Sequence, residues 1–143
     1  MECQSAKIEA MRLLILTLVA LIFIQSCKKD ATDKIKDGVY TGTFSRSGPL
    51  SNHVVSNVVI TFNGNMFSGT SDVDKYPAIC KGTFNAGASK MKVVNECVFT
   101  ADFDGTFIFN GEYEYEVDGA EIEIVKRYPN STYVDRYLLK RGN

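Results

Sequence analysis

The chain has 143 residues, enough for one domain and a targeting segment but not for two separate cores. Its 16 Lys and Arg against 17 Asp and Glu leave a formal net charge of −1, which excludes the basic footprint of a nucleic-acid binder.

The first element is apolar. From Leu13 to Ile24 the chain reads LLILTLVALIFI, too short for the roughly 20 residues of a membrane-spanning helix but suited to the core of a signal peptide. Arg12 supplies the positive flank, and Met11 offers a second start that would leave an ordinary leader beginning MRLL. A buried core helix is the competing reading. The tetrad Ile24-Gln25-Ser26-Cys27 resembles the lipobox of bacterial lipoproteins. That resemblance implies that residues 1–26 are cleaved away and that the Cys27 thiol carries lipid. Each buried methylene of an acyl chain stabilises membrane attachment by about 0.8 kcal/mol, so several chains on one residue anchor durably. Cleavage removes two charges of each sign, and the balance is unchanged.

Lys28-Lys29-Asp30 resembles the opening of lipoproteins from Bacteroidetes-type bacteria and lacks the aspartate directly after cysteine that retains enterobacterial lipoproteins in the inner membrane. It implies an outer-membrane protein held through Cys27, on either the periplasmic face or the cell surface. Residues 27–36 read as the lipidated tether, since KKDATDKIK holds one large apolar side chain, Ile35.

From Asp37 the texture changes to short β-branched and aromatic runs separated by Gly, Asn, Asp and Ser, the pattern of consecutive antiparallel strands. Strands are predicted over 38–45, 53–62, 65–70, 78–85, 90–99, 106–117, 120–127 and 132–140. The firmest turns are Asn63-Gly64 and Asp118-Gly119, whose glycines suit the positive φ of tight hairpins. Alternation is clearest in the sixth strand. Phe107, Phe109, Gly111, Tyr113, Tyr115 and Val117 fall on one face, opposite Asn110, Glu112, Glu114, Glu116 and Asp118. The last strand sets Tyr133, Tyr137 and Leu139 against Arg136 and Lys140.

Eight short strands would expose an apolar face and two edges unless the sheet closed, so the predicted fold is all-β: an eight-stranded antiparallel up-and-down meander barrel over residues 37–143. Three stretches carry a resemblance to the small lipocalin-like (calycin-like) lipoproteins of Bacteroidetes: Gly38 to Phe44 (GVYTGTF), Phe107 to Tyr115 with its FNGEYEY, and the closing run from Tyr133 to Arg141. Lipocalins pack a basic residue of the last strand across a tryptophan near the first. This chain has no Trp, and Tyr40 with Arg136 would be the substitutes.

Cys80 and Cys97 lie on the two arms of a predicted hairpin, and pairing them sets Phe84 opposite Val93. In an oxidising compartment a structural disulfide is expected; a redox pair and two free thiols are the alternatives. Catalytic groups are scarce. His53 is the sole histidine and no Gly-x-Ser-x-Gly elbow is present, so no enzymatic activity is expected. Asp102-Phe103-Asp104-Gly105 resembles half a calcium loop but lacks a third carboxylate and the distant Glu; like Asp72 and Asp74, it reads as turn chemistry. The carboxylates of the sixth strand read as a solvated face, and neither metal nor cofactor is expected.

The 9 Phe and 7 Tyr are the most suggestive feature. An eight-stranded barrel is just wide enough to be filled by side chains or to hold one small ligand. Buried tyrosine hydroxyls need partners, which a wet cavity or a polar ligand group would supply. The leading expectation is a barrel that binds a small, partly apolar molecule lined by Tyr40, Phe44, Phe107, Phe109, Tyr113, Tyr115 and Tyr137. The alternative is a filled barrel whose outer surface contacts another envelope protein.

Overall fold

The computed structural model describes residues 34–51 and 54–142. The expected signal peptide, Cys27, the first part of the expected tether and His53 lie outside the described residues. Eight strands run in chain order: β1 (Gly38–Ser47), β2 (Val55–Asn63), β3 (Met66–Ser71), β4 (Lys81–Ala86), β5 (Lys90–Asn95), β6 (Gly111–Asp118), β7 (Glu121–Arg127) and β8 (Val134–Arg141). Each pairs antiparallel with the next, and β8 pairs back onto β1, closing the barrel. The predicted up-and-down topology is therefore the observed one. Closure removes both sheet edges.

The two ends of the barrel differ. Tight two-residue turns at Gly64 (φ 60°) and Gly119 (φ 61°) connect β2 to β3 and β6 to β7 at one end. In both, the positive φ falls on the glycine alone, so the Gly-first pattern of a II′ hairpin replaces the Asn-Gly and Asp-Gly central pairs that the sequence suggests. The long connections lie at the other end: residues 48–54, 72–80, 96–110 and 128–133. The incoming chain meets the tight-turn end, where Asp37 Oδ1 accepts from the Gly64 N–H (2.8 Å) and the Tyr40 hydroxyl donates to the Lys36 carbonyl (2.9 Å).

Three boundaries depart from the sequence reading by three residues or more. The sixth strand begins at Gly111 rather than 106, because Asp104 caps a single 3-10 turn over Gly105–Phe107 by accepting from the Thr106 N–H. β5 ends at Asn95 rather than 99, where the Asn110 side chain takes its N–H and its own side chain takes that of Cys97. β4 begins at Lys81 rather than 78, because Ala78 pairs instead with Ile108 in an isolated parallel bridge. Phe107 and Phe109 thus reach the interior from a loop, although they keep the inward parity of Tyr113 and Tyr115.

Cys80 and Cys97 form a disulfide with Cα atoms 6.3 Å apart, and Phe84 stands opposite Val93 as that pairing requires. The interior is one aromatic and aliphatic cluster. Phe44, Phe62, Phe109, Tyr137, Ile60 and Met91 are among its fully buried members.

Candidate functional site

At the loop-rich end, two charged side chains occupy inward positions of adjacent strands. Arg46 shares the parity of Tyr40 and Phe44 in β1, Asp135 shares that of Tyr137 and Leu139 in β8, and the register sets them opposite each other. Arg46 is only 7% exposed and Asp135 3%. Their contact is a two-pronged fork, Nε to Oδ1 at 2.5 Å and Nη2 to Oδ2 at 2.8 Å. Nη1 donates to Thr106 Oγ1 (2.9 Å), and Nη2 also reaches the Thr106 carbonyl (3.2 Å) and the Tyr128 hydroxyl (2.9 Å). The guanidinium carbon sits 3.7 Å from the centre of the Phe107 ring.

A buried charge is tolerated only when paired and hydrogen-bonded, and this one is both. Burial opposes the Arg46 charge, but the hydrogen bond and charge of Asp135 outweigh it and raise its pKa. Burial, followed by Asp135, pushes the Tyr128 hydroxyl above its ordinary value. Burial lowers that of Lys126, whose ammonium donates to the Asn110 carbonyl at 2.8 Å and lies against the Tyr113 and Tyr128 rings.

Above this network opens a cleft of about 530 Å³, lined chiefly by Arg46, Leu50, Tyr76, Phe107, Tyr128 and Tyr133. Such a volume is that of a small-molecule site, and the mixture of ring faces with a few polar groups is the usual lining. A groove of equal volume on the outside of β6, β7, β8 and β1 is walled by Glu116, Glu121 and Glu123 and lacks aromatic surface.

The seven residues proposed as a lining separate into three places. Phe44, Phe109, Tyr113 and Tyr137 form one stack across the barrel: Phe44 to Tyr137 at 4.8 Å, Phe109 to Tyr137 at 5.1 Å and Phe109 to Tyr113 at 5.1 Å between ring centres. Tyr40 and Tyr115 lie at the tight-turn end, Tyr40 against Phe62 and Tyr115 donating to the Gly87 carbonyl. Phe107 alone among the seven borders the cleft.

The hydroxyls of these tyrosines have protein partners. Besides Tyr40 and Tyr115, Tyr113 accepts from the Asn110 N–H (3.1 Å), and at the mouth Tyr76 donates to the Val54 carbonyl (3.3 Å). The suggested Tyr40–Arg136 substitute for the lipocalin pair is not formed. Arg136 points outward, bridged to Glu123 at 3.0 Å, and the arginine that lies over an aromatic ring is Arg46 of the first strand.

The carboxylates singled out in the sequence serve turns. Asp102 receives Lys75 Nζ (2.8 Å) and the Thr100 hydroxyl, contacts that hold its pKa down to about 2. The Asn57 N–H and side-chain amide both donate to Asp72. Among the described residues no cluster of three potential ligands could hold a metal ion.

No family model, curated protein or solved structure matches this chain. The site therefore rests on its own residues. Arg46, Asp135, Thr106 and Tyr128 escaped the sequence reading, yet two of them carried a signal: a charge at an inward parity position on each of two strands that close the barrel.

Proposed function

We propose that this protein is a lipid-anchored lipoprotein of the cell envelope that binds a small, partly apolar molecule at the loop-rich mouth of its barrel. One observation carries the reading: an aromatic cleft of about 530 Å³ whose floor is a locked Arg46–Asp135 pair, above an interior already occupied by interlocking rings. Phe107, Tyr128 and Tyr133 would supply ring faces. Asp135 and, at 3.6 Å, Asp104 neutralise the guanidinium, so the floor is polar without a free positive charge and does not call for an anionic ligand.

The lipobox resemblance supports the anchor and an outer-membrane location. The tether would leave from the tight-turn end, opposite the cleft, so an anchored barrel would present its mouth away from the lipid. Replacing Cys27 with Ser should abolish fatty-acid labelling of the protein in its own cells; retained label would remove the anchor from this proposal. Native mass spectrometry of protein from those cells tests the ligand. Tyr133→Ala and Phe107→Ala should strip any bound mass, and its retention in both variants would exclude the cleft.

The filled interior also favours a second reading, an interaction module that meets an envelope partner through the outside of its barrel.

A further inference from the structure

The cleft at the mouth is framed by two turns of one design. Gly48-Pro49-Leu50-Ser51 and Tyr128-Pro129-Asn130-Ser131 each carry proline at the second position, and in each the last residue's N–H donates to the first residue's carbonyl at 3.2 Å. Proline presets the second position of such turns, and Asn130 takes the positive φ (63°) that the third position of a type II turn requires. Tyr133 ties the two together. Its ring lies directly on Gly48, where a Cβ would come within 2.3 Å of Cδ1, and its N–H donates to Ser131 Oγ at 3.1 Å. The walls of the cleft are therefore set before any ligand arrives, which lowers the cost of binding.

On the floor one pair of polar groups is not closed. Arg46 spends Nε and Nη2 on Asp135, Thr106 and Tyr128, and Nη1 donates one of its two N–H groups to Thr106 Oγ1. Asp104 Oδ2 stands 3.6 Å from Nη1, an ion pair too long for a hydrogen bond. The other oxygen of Asp104 accepts from the Thr106 N–H, a contact that holds this carboxyl below its ordinary range. The Asp104 side chain is 55% exposed and borders the cleft. A charged donor and a charged acceptor thus stand side by side, each with bonding capacity to spare.

That arrangement discriminates among ligands. A carboxylate or phosphate would take the Arg46 N–H but meet the Asp104 carboxylate, and an ammonium would reverse the conflict. An apolar molecule would strip water from both groups and return nothing. A hydroxyl accepts from Nη1 and donates to Oδ2 at once, and both bonds are charge-assisted. A molecule rich in hydroxyls that also presents a C–H face to aromatic rings is a sugar. We propose that the mouth cleft is a carbohydrate site, in which a hydroxyl of a neutral sugar bridges Arg46 Nη1 and Asp104 Oδ2 while the C–H face of its ring lies against Tyr133. The proposal rests on the reading of the cleft as a binding site and names its ligand class, an uncharged saccharide, free or within a longer chain.

The full chain, extracted in a detergent without a sugar headgroup, is applied to an array of neutral, uronic-acid and amino-sugar oligosaccharides. The strongest neutral probe is then titrated calorimetrically, both free and as the polysaccharide that contains it, which separates the two sources. Neutral saccharides should bind in preference to charged ones. Asparagine caps a helical turn as well as aspartate does, so Asp104→Asn keeps the fold. It should weaken the neutral probe by about tenfold or more and improve uronic-acid probes relative to it, because the bridging acceptor and its negative charge are both lost. Tyr133→Ala should cost about as much, whereas Tyr133→Phe, which keeps the ring face, should stay within about threefold of the native protein. Circular dichroism checks the fold of each variant. Absence of neutral-saccharide binding on the array overturns the proposal, as does native affinity in Asp104→Asn. A co-purifying mass that is lost in Tyr133→Ala and Phe107→Ala but contains no sugar on fragmentation overturns the carbohydrate assignment and leaves the cleft as a binding site. Saccharide binding that survives both of those substitutions overturns the two together.

Discussion

Replacing Phe109 with Ala tests whether the barrel interior is solid. The ring is fully buried and packs against Phe67 at 5.3 Å, Tyr113 at 5.1 Å and Tyr137 at 5.1 Å. Removing about 150 Å² of buried apolar surface at about 25 cal/mol per Å² costs about 4 kcal/mol. The edge-to-face attraction between the rings adds to this, and partial collapse of the cavity subtracts. The expected loss is 3–5 kcal/mol, the range for buried Phe→Ala substitutions. Against a total stability of about 5–15 kcal/mol, the variant folds but with little reserve. With a urea slope of about 1–3 kcal/mol per molar, the unfolding midpoint falls by about 2 M at unchanged slope. Equilibrium urea unfolding with the disulfide intact, followed by far-UV circular dichroism and by tyrosine fluorescence, measures it. A loss below about 1 kcal/mol would mean that Phe109 borders empty space, and would return the binding site to the barrel axis.

Three further outcomes follow from the same structure. Reducing Cys80–Cys97, 17 residues apart in sequence, should destabilise the domain by about 3 kcal/mol by restoring loop entropy to the unfolded chain; unchanged thermal unfolding after complete reduction would contradict this. Arg46→Met and Asp135→Leu should each cost about 3–5 kcal/mol by stranding a buried charge, whereas the double variant recovers most of the loss; additive losses in the cycle would show that the pair is not coupled. Burial raises the Tyr113, Tyr128 and Tyr137 hydroxyls above their ordinary range, so their contribution to stability is complete below about pH 10 and is lost as pH rises beyond it. Tyrosinate absorbance should therefore lag behind that of a free-tyrosine mixture and rise together with unfolding. All seven tyrosines titrating normally in a still-folded protein would refute the burial.

Local information in the chain reached far into the fold. Period-two alternation in Gly111–Asp118 identifies the buried side of β6, because successive side chains of a strand point to opposite faces whatever surrounds them. Gly64 and Gly119 mark hairpins because a positive φ costs glycine least. Pairing Cys80 with Cys97 implied the Phe84–Val93 register, since two cross-linked positions on antiparallel arms determine every other pair between them. Strand ends were less legible: the Asn95–Asn110 contacts and the Ala78–Ile108 bridge depend on residues brought in from elsewhere, and the local Asp104 cap interrupts a run whose alternation continues through it.

Sequence alone determined the number of strands, their order and the inward faces, which follow from short-range periodicity and chain connectivity, and the structure forms the disulfide that the sequence offered beside two alternatives. Only the tertiary structure decided where polar chemistry collects and whether the barrel is hollow. Arg46 and Asp135 are 89 residues apart and meet because β8 closes onto β1. Phe107 and Phe109 keep the inward parity that the alternation gave them but reach the barrel from a loop, not from a paired strand. Contacts of that kind depend on the closure and width of the whole barrel, a property of eight strands together and of no single one.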